Sequence, residues 1–242
     1  AGFAQYFLAR TTPASYQVTS QFNTAPVTGV ASSIASVIGS LQTSFHQPAS
    51  AIVSRPDDPR PNQWGGGPFI RFSHGESTVK LDGAAMLGGA PIGSSATSTF
   101  SRFTGFQAGA DIGLYNINNT GWNINVGLMG GVVDAKASAT STSPGAPLVG
   151  TAARLDVPFI GLYAFLSNGP FTAEFNVRKD FYDTTFQSIG ADGTVFVLPG
   201  TKLKGDGVNF NVNASYRFQI YESWYIEPTG GLSVGRYSFD TL

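Results

Sequence analysis

The side chains able to do chemistry are few and scattered. Residues 231–235 read GLSVG, a G-x-S-x-G pattern around Ser233. A nucleophile elbow sets that pattern on a strand–turn–helix corner, with an acid and a His to follow. Ser233 falls inside an alternating strand pattern instead, and no His follows it. The two His, His46 and His74, lack a third ligand and make a poor metal site. Cys is absent, which removes disulfides, thiolate nucleophiles and Cys-ligated metals. A membrane-embedded protease or acyltransferase would also use carboxylates and His, but no constellation here commits to one. The sequence reads as a non-enzyme with no catalytic, metal or cofactor-binding residues and no cofactor.

Composition narrows the class. Gly is 30 of 242 residues and aromatics are 13%, while charged residues are only 12%, about half the usual share. A soluble surface needs more charge than that. The net charge of −1 argues against nucleic acid as a partner. Apolar content of 42% is too high for disorder. No run of 18 apolar residues exists, which excludes a transmembrane helix but not a transmembrane barrel. The first ten residues, AGFAQYFLAR, do not read as a signal peptide.

The positioning elements are strands. From Val208 to Ile220, apolar and polar residues alternate without a break for 13 positions. A tilted membrane-spanning strand needs about 9–11 residues, whereas soluble strands run to about 5–6. The same alternation runs through Phe106–Leu114, Trp122–Val132, Phe171–Val177 and Trp224–Val234. It is less clean over 155–166, where Ile160 and Leu162 oppose Phe159, Tyr163 and Phe165. Seven strands are predicted, at about 67–81, 104–116, 121–134, 153–166, 170–184, 207–220 and 223–237. Short links (118–121, Asn168-Gly169, 221–223) alternate with long ones at 82–103, 135–152 and 185–206. Short turns on one side and long loops on the other is the pattern of an outer-membrane barrel with the long loops extracellular. Trp122, Phe165, Phe171, Phe218 and Trp224 lie near the short turns and are expected as a periplasmic-side aromatic girdle. Arg71, Asp111, Glu174, Arg178, Arg217 and Glu227 are expected to face the lumen, where opposite signs can pair or simply hold water.

Residues 1–63 have a different texture, rich in Ala, Ser, Thr and Pro, and are assigned as a linker and plug-helix region. Ile34, Val37, Ile38, Leu41 and Phe45 recur at helical spacing and predict an amphipathic helix over about 30–45, with Ser, Thr and Gln opposite. The linker SRPDDPRPNQWGGG would lie at the periplasmic mouth, so the helix would run down the lumen. Residues 64–242 form the barrel.

The helix, then PRPNQWGGGPFIRFSHGE, TGFQAGADIGLYNI, GWNINVGLMGGVVDAKA, DVPFIGLYAFLSNGPFTAEFNVRKDFYD and WYIEPTGGLSVGRYSFDTL, together resemble the C-terminal translocator domain of autotransporters, especially alphaproteobacterial forms. The order of these segments carries the likeness, over about residues 30–242. The resemblance implies an all-β, transmembrane, antiparallel up-and-down barrel of twelve strands in the bacterial outer membrane. Seven strands with an end at Leu242 imply either that about five lie outside this sequence or that a partner chain closes the sheet. It implies export and surface anchoring of an N-terminal passenger, and contact with outer-membrane lipid and the barrel-assembly machinery. The helix lacks the Asn that some relatives use for cleavage inside the lumen, so such cleavage is not expected. The alternative is a structural or adhesive barrel that binds a partner through its extracellular loops. A porin is less compatible with a filled lumen.

Overall fold

Alternation of apolar and polar residues gives a strand two unlike faces, and such strands pair so that like faces align. The computed structural model describes residues 4–12, 15–22, 25–44, 56–87, 90–143, 148–190, 195–222 and 224–240. The described elements are β1 (Ala4–Thr12), β2 (Ser15–Phe22), α1 (Ala25–Ser44), β3 (Gln63–Leu87), β4 (Ala90–Tyr115), β5 (Trp122–Thr142), β6 (Val149–Asn168), β7 (Phe171–Gly190), β8 (Val195–Tyr216), β9 (Phe218–Tyr221), β10 (Trp224–Ile226) and β11 (Thr229–Phe239). Seven of them make one open antiparallel sheet in the order β3-β4-β5-β6-β7-β8-β11. Each strand pairs with its neighbour in sequence, which is the up-and-down topology. β1 and β2 form a hairpin of their own, in a region the sequence reading had assigned to linker.

Two differences from the expected elements have physical causes. The segments 82–103, 135–152 and 185–206, expected as loops, are mostly strand. β3 and β4 pair from Gln63↔Tyr115 to Leu87↔Ala90, with one register shift at Ala85/Met86. Their Ser, Thr and Ala residues hide the alternation from a hydropathy reading, yet small and β-branched side chains fit a pleated surface well. The last hairpin is broken. β8 stops at Tyr216, β9 and β10 pair separately, and β11 resumes at Thr229. Pro228 has no N–H to give a ladder; its carbonyl accepts from Tyr216 N at 3.2 Å, and Arg217 N donates to Pro170 at 3.0 Å.

The short turns show their chemistry directly. Asn116, Asn118 and Asn119 all take positive φ (49°, 49° and 62°), and Gly121 follows at 79°. Asn tolerates the left-handed region better than other residues with a Cβ. Gly169 closes the β6–β7 turn at φ 54°.

One face of the sheet carries α1 and is termed the inner face. The other, outer face is apolar and exposed. Ile70, Phe72, Ile112, Leu128, Ile160 and Leu162 are each 57–74% exposed. Meanwhile Asn125, Asn176, Asn209, Asn211, Arg178 and Asp180 on the inner face are buried to 2% or less. That is the reverse of a water-soluble sheet, and it is the arrangement of a wall bathed in hydrocarbon. On β5 the apolar outer stripe runs from Trp122 to Val132, 11 residues, matching the ~9–11 of a spanning strand.

Toward the long-hairpin end the outer face turns to charge. Glu76–Arg102 (2.7 Å), Asp134–Arg154 (2.9 Å) and Lys179–Asp206 (2.9 Å) are exposed ion pairs between neighbouring strands. Lys179 stands opposite Ile160, six positions nearer the short turn than Thr185, the β7 partner of Arg154. The charged line is thus level from Glu76 and Arg102 to Arg154 and reaches nearer the short turns on β7 and β8. The apolar band lies between this line and the short turns.

A charge placed inside that band should be costly. Leu128→Arg is expected to destabilise the inserted protein by ~2–4 kcal/mol, while Ser98→Arg, beyond the charged line, should cost less than ~1 kcal/mol. Urea titration of the full chain in vesicles measures both, and equal costs would refute the membrane placement of the band.

Candidate functional site: the inner face and its helix

The inner face has two halves. At the long-hairpin half, its strand residues are small or apolar: Ala135, Ala137, Ala153, Leu155, Val157 and Phe186 are all buried. α1 packs there. Pro26 suits the first turn of a helix, where its missing N–H is no loss. The helix spans Ala25–Ser44, longer at the N-terminal end than the predicted 30–45. Val37 is buried, and Ile34 and Ile38 pack partly against the cluster. Of the other two predicted apolar positions, Phe45 and the side chain of Leu41 lie outside the described residues.

The polar side of α1 is not left to water. Ser32, Ser33 and Ser36 are buried. Thr28 Oγ1 meets Ser95 Oγ at 2.9 Å and accepts from Thr97 Oγ1 at 3.1 Å. Ser32 meets Thr99, and Ser36 Oγ meets Ser101 Oγ at 2.9 Å and Ser77 Oγ at 3.2 Å. One hydroxyl stripe on the helix thus runs down one hydroxyl stripe on β4. Small residues let the backbones come close: a Cβ on Gly29 would sit 2.6 Å from Thr151 Oγ1. The match also sets direction. Thr28 lies near the hairpin tips and Ser36 lies nearer the short turns, so the chain descends along the inner face.

The chain then reaches the short-turn end. Asn62 N donates to Asn116 O at 3.1 Å, Asn118 N donates to Asn62 Oδ1 at 2.9 Å, and Asn116 Nδ2 donates to Pro59 O at 3.0 Å. The segment ahead of β3 is tied to the β4–β5 turn.

The short-turn half of the inner face is a polar lattice. Asp111 accepts from Asn125 Nδ2 at 2.8 Å and from Tyr163 OH at 2.7 Å, and Asn125 also donates to Tyr115 OH at 3.0 Å. Arg71 Nη2 donates to Gln107 Oε1 at 3.0 Å. Glu174 accepts from Asn176, which accepts from Asn211 at 2.9 Å. Arg178 and Asp180 form a buried ion pair, with Nη2 donating to Oδ2 at 2.8 Å. Asn209 and Tyr182 also donate to Asp180, Tyr237 donates to Asn209, and the Phe159 ring lies 4.6 Å under the Arg178 guanidinium. Each charge is held by neutral amides, phenols or a partner, which offsets its removal from water.

The aromatic residues of this face sit on glycines of the neighbouring strand. Phe69 pairs with Gly109, Phe103 with Gly75, Tyr163 with Gly127, and Phe159 with Gly131. A Cβ at Gly127 would come 2.5 Å from the Tyr163 ring, and one at Gly109 would come 2.5 Å from Phe69. The ring fills the space a side chain would have taken, so the sheet loses little packing at glycine.

Of the six residues expected on the lumen side, Arg71, Asp111, Glu174 and Arg178 fall on the inner face, on β3, β4 and β7. Arg217 and Glu227 flank the break between β8 and β11, where they pair at 3.0 Å. Trp122 and Phe171 lie at the short-turn end and meet edge to face, centroids 6.1 Å apart; Phe218 and Trp224 are exposed in the β9–β10 hairpin. Phe165 is a correction: it is 3% exposed on the inner face, not beside Trp122. On β6 the lipid-side residues are Ile160 and Leu162, and period-2 alternation puts Phe165 with Tyr163 on the other side. Trp64, 70% exposed at the same end, was not singled out from sequence, because its Gly-rich flanks hide the strand. Ser233 lies within β11, and His74 meets Thr104 Oγ1 at 3.1 Å; His46 lies outside the described residues.

An antiparallel sheet with an apolar outer face, a polar inner face and a helix lying along that inner face is the build of a membrane-spanning β-barrel protein. More particularly, a family model described as Autotransporter beta-domain matches residues 90–242, from β4 through every later strand, and the chain belongs to that family. It is thus an outer-membrane protein of the Gram-negative type and, in general terms, a translocator domain from a family of barrels rather than enzymes. Neither a curated protein nor a solved structure matches the chain.

The buried Arg178–Asp180 pair gives a test of the lattice. Asp180→Ala leaves the guanidinium buried without its partner and should cost ~3–5 kcal/mol, whereas Arg178→Met with Asp180→Leu should cost much less. Chemical unfolding of the refolded full chain compares them.

Proposed function

We propose that this domain supports export of a passenger lying N-terminal to α1 and then anchors the passenger's end at the cell surface. The observation that carries the reading is the course of the chain: α1 descends the inner face from the hairpin tips, and residues 59–62 are held at the short turns. With the hairpin tips outside the cell, everything ahead of α1 is outside too. The segment inside the barrel is the last part of the exported strand.

In this reading Arg71, Asp111, Glu174 and Arg178 line the lumen, and Arg217 with Glu227 lies at its periplasmic end. Their mixed signs hold water without offering a sustained charge for an unfolded chain to stick to. Trp122, Phe171, Phe218 and Trp224 form the periplasmic-side girdle, where amphipathic rings favour the interface. Among the described residues β3 and β11 are the edges of the sheet; an unpaired backbone group costs several kcal/mol in lipid, so in this reading further strands or a partner chain cover those edges. Family likeness supports the twelve-stranded count and help from the barrel-assembly machinery during insertion.

An epitope inserted ahead of β1 in the full-length protein tests the reading. External protease should remove it from intact cells. An epitope cut only after the outer membrane is opened would refute export and leave a surface barrel whose hairpins do the binding.

A further inference from the structure

α1 meets the inner face with two stripes of opposite character. The first is the hydroxyl stripe. Thr28, Ser32 and Ser36 recur every four residues, about 6 Å along a helix. Their partners on β4, Thr97, Thr99 and Ser101, recur every two residues, about 6.7 Å along a strand. The two repeats nearly match. In the sequence Ser40 and Ser44 extend the helix repeat toward its C-terminal end. A shift of α1 by one turn toward the hairpin tips would set hydroxyl against hydroxyl again. This stripe alone does not choose one register.

The second stripe begins at the next residue. Gly29, Ser33 and Val37 are all buried, and they grow in that order from the hairpin tips toward the short turns. The sequence continues the series with Leu41. A one-turn shift toward the tips puts a larger residue into each place. Ser33 would bring a Cβ into the place of Gly29, where a Cβ lies 2.6 Å from Thr151 Oγ1 and 3.2 Å from Thr151 Cβ. Turning the Thr151 side chain moves its Oγ1 but not its Cβ, and a β-branched residue is stiff about that bond. Val37 would follow into the place of the fully buried Ser33. A close-packed interior does not accept added volume without moving its walls. A shift the other way draws Val37 from the apolar cluster and leaves Ser33 in its place. It also takes Thr28 away from Gly83, where a Cβ would lie 2.5 Å from the Thr28 methyl.

We infer that α1 is a tapered stop: Gly29, Ser33 and Val37 fix the register at which movement of the chain toward the hairpin tips ends. The hydroxyl stripe supports successive positions one turn apart, and the taper selects the last of them. All three are positioning residues. The inference rests on the translocator reading, which supplies the outward pull on α1.

Disulfide trapping in the full-length protein, in cells, tests it. This chain brings no Cys of its own. Ser32→Cys with Thr99→Cys, and Ser36→Cys with Ser101→Cys, report the observed register. Ser36→Cys with Thr99→Cys reports one turn outward, and Ser32→Cys with Ser101→Cys reports one turn inward. With the natural taper, each of the first two pairs should trap about fivefold more disulfide than either of the last two. Ser33→Gly combined with Val37→Ser moves the taper one turn down the helix. It should raise the outward pair about fivefold and leave the inward pair unchanged. Thr151→Gly widens the same place from the wall and should also raise the outward pair, which keeps the test decisive if the double variant does not assemble. Ala35→Ser, on the exposed side of α1, should change no pair. Equal trapping of all pairs with the natural taper, an outward pair unmoved by either change, or a joint rise of both shifted pairs overturns the stop. Translocation survives that result if external protease still removes an epitope placed ahead of β1. An epitope out of its reach in intact cells overturns both readings.

Discussion

Hydrocarbon offers no partner to a backbone N–H or C=O, and the rest of this structure depends on that constraint. Every strand crossing the lipid has to bond its neighbours on both sides, which calls for long, regular, antiparallel ladders. β3 and β4 pair over some 25 positions with one register shift near the tips. The same constraint inverts the faces. Leu128 and Ile160 look outward, while Asn125, Asn209 and Asp180 are buried behind them. Among the described residues the larger hydrophobic cluster lies where the helix meets the upper sheet, and a small one of Phe69, Met129 and Tyr163 lies nearer the short turns.

The inner face is built mostly from neutral polar groups. Asn residues on β5, β7 and β8 can bond each other, a carboxylate or water without changing charge. This lets Asp111 and Asp180 sit buried with several donors each. The helix uses the same economy with hydroxyls. Its Ser and Thr side chains are short enough for close approach and still satisfy one another across the contact. Such a contact combines weak, replaceable hydrogen bonds with modest apolar burial at Val30 and Val37.

On the outer face, the line of ion pairs and the Trp-bearing short turns mark two boundaries. Between them the exposed side chains are mostly apolar, and beyond the upper one they are mostly Ser, Thr and charged, with Phe100 and Phe181 also exposed there. The line is level from Glu76 and Arg102 to Arg154 and lies nearer the short turns at Lys179–Asp206.

Much of this was legible in the sequence, because period-2 alternation is a local property. Val208–Ile220 and Trp122–Val132 declare both their strands and their lipid faces residue by residue, and the Asn-rich and Asn-Gly links declare the short turns. The i, i+3, i+4 spacing of Ile34, Val37 and Ile38 declared a helix. Other features depend on which residues meet across strands. The Ser/Thr/Ala stretches after Lys80 and before Phe100 have no strong alternation, and only their pairing in a continuing ladder makes them strand. Phe165 was assigned to the wrong face because aromatic character alone suggests lipid; the register that sets Tyr163 over Gly127 puts both rings inside. The burial of Ser32 and Ser36 needed the hydroxyl stripe of β4 beside them. The sequence by itself determined the class of fold and the sidedness of its strands. Tertiary structure decided the direction of the helix, the Gly–aromatic pairs and the line of ion pairs, because each arises from registers that bring together positions tens of residues apart.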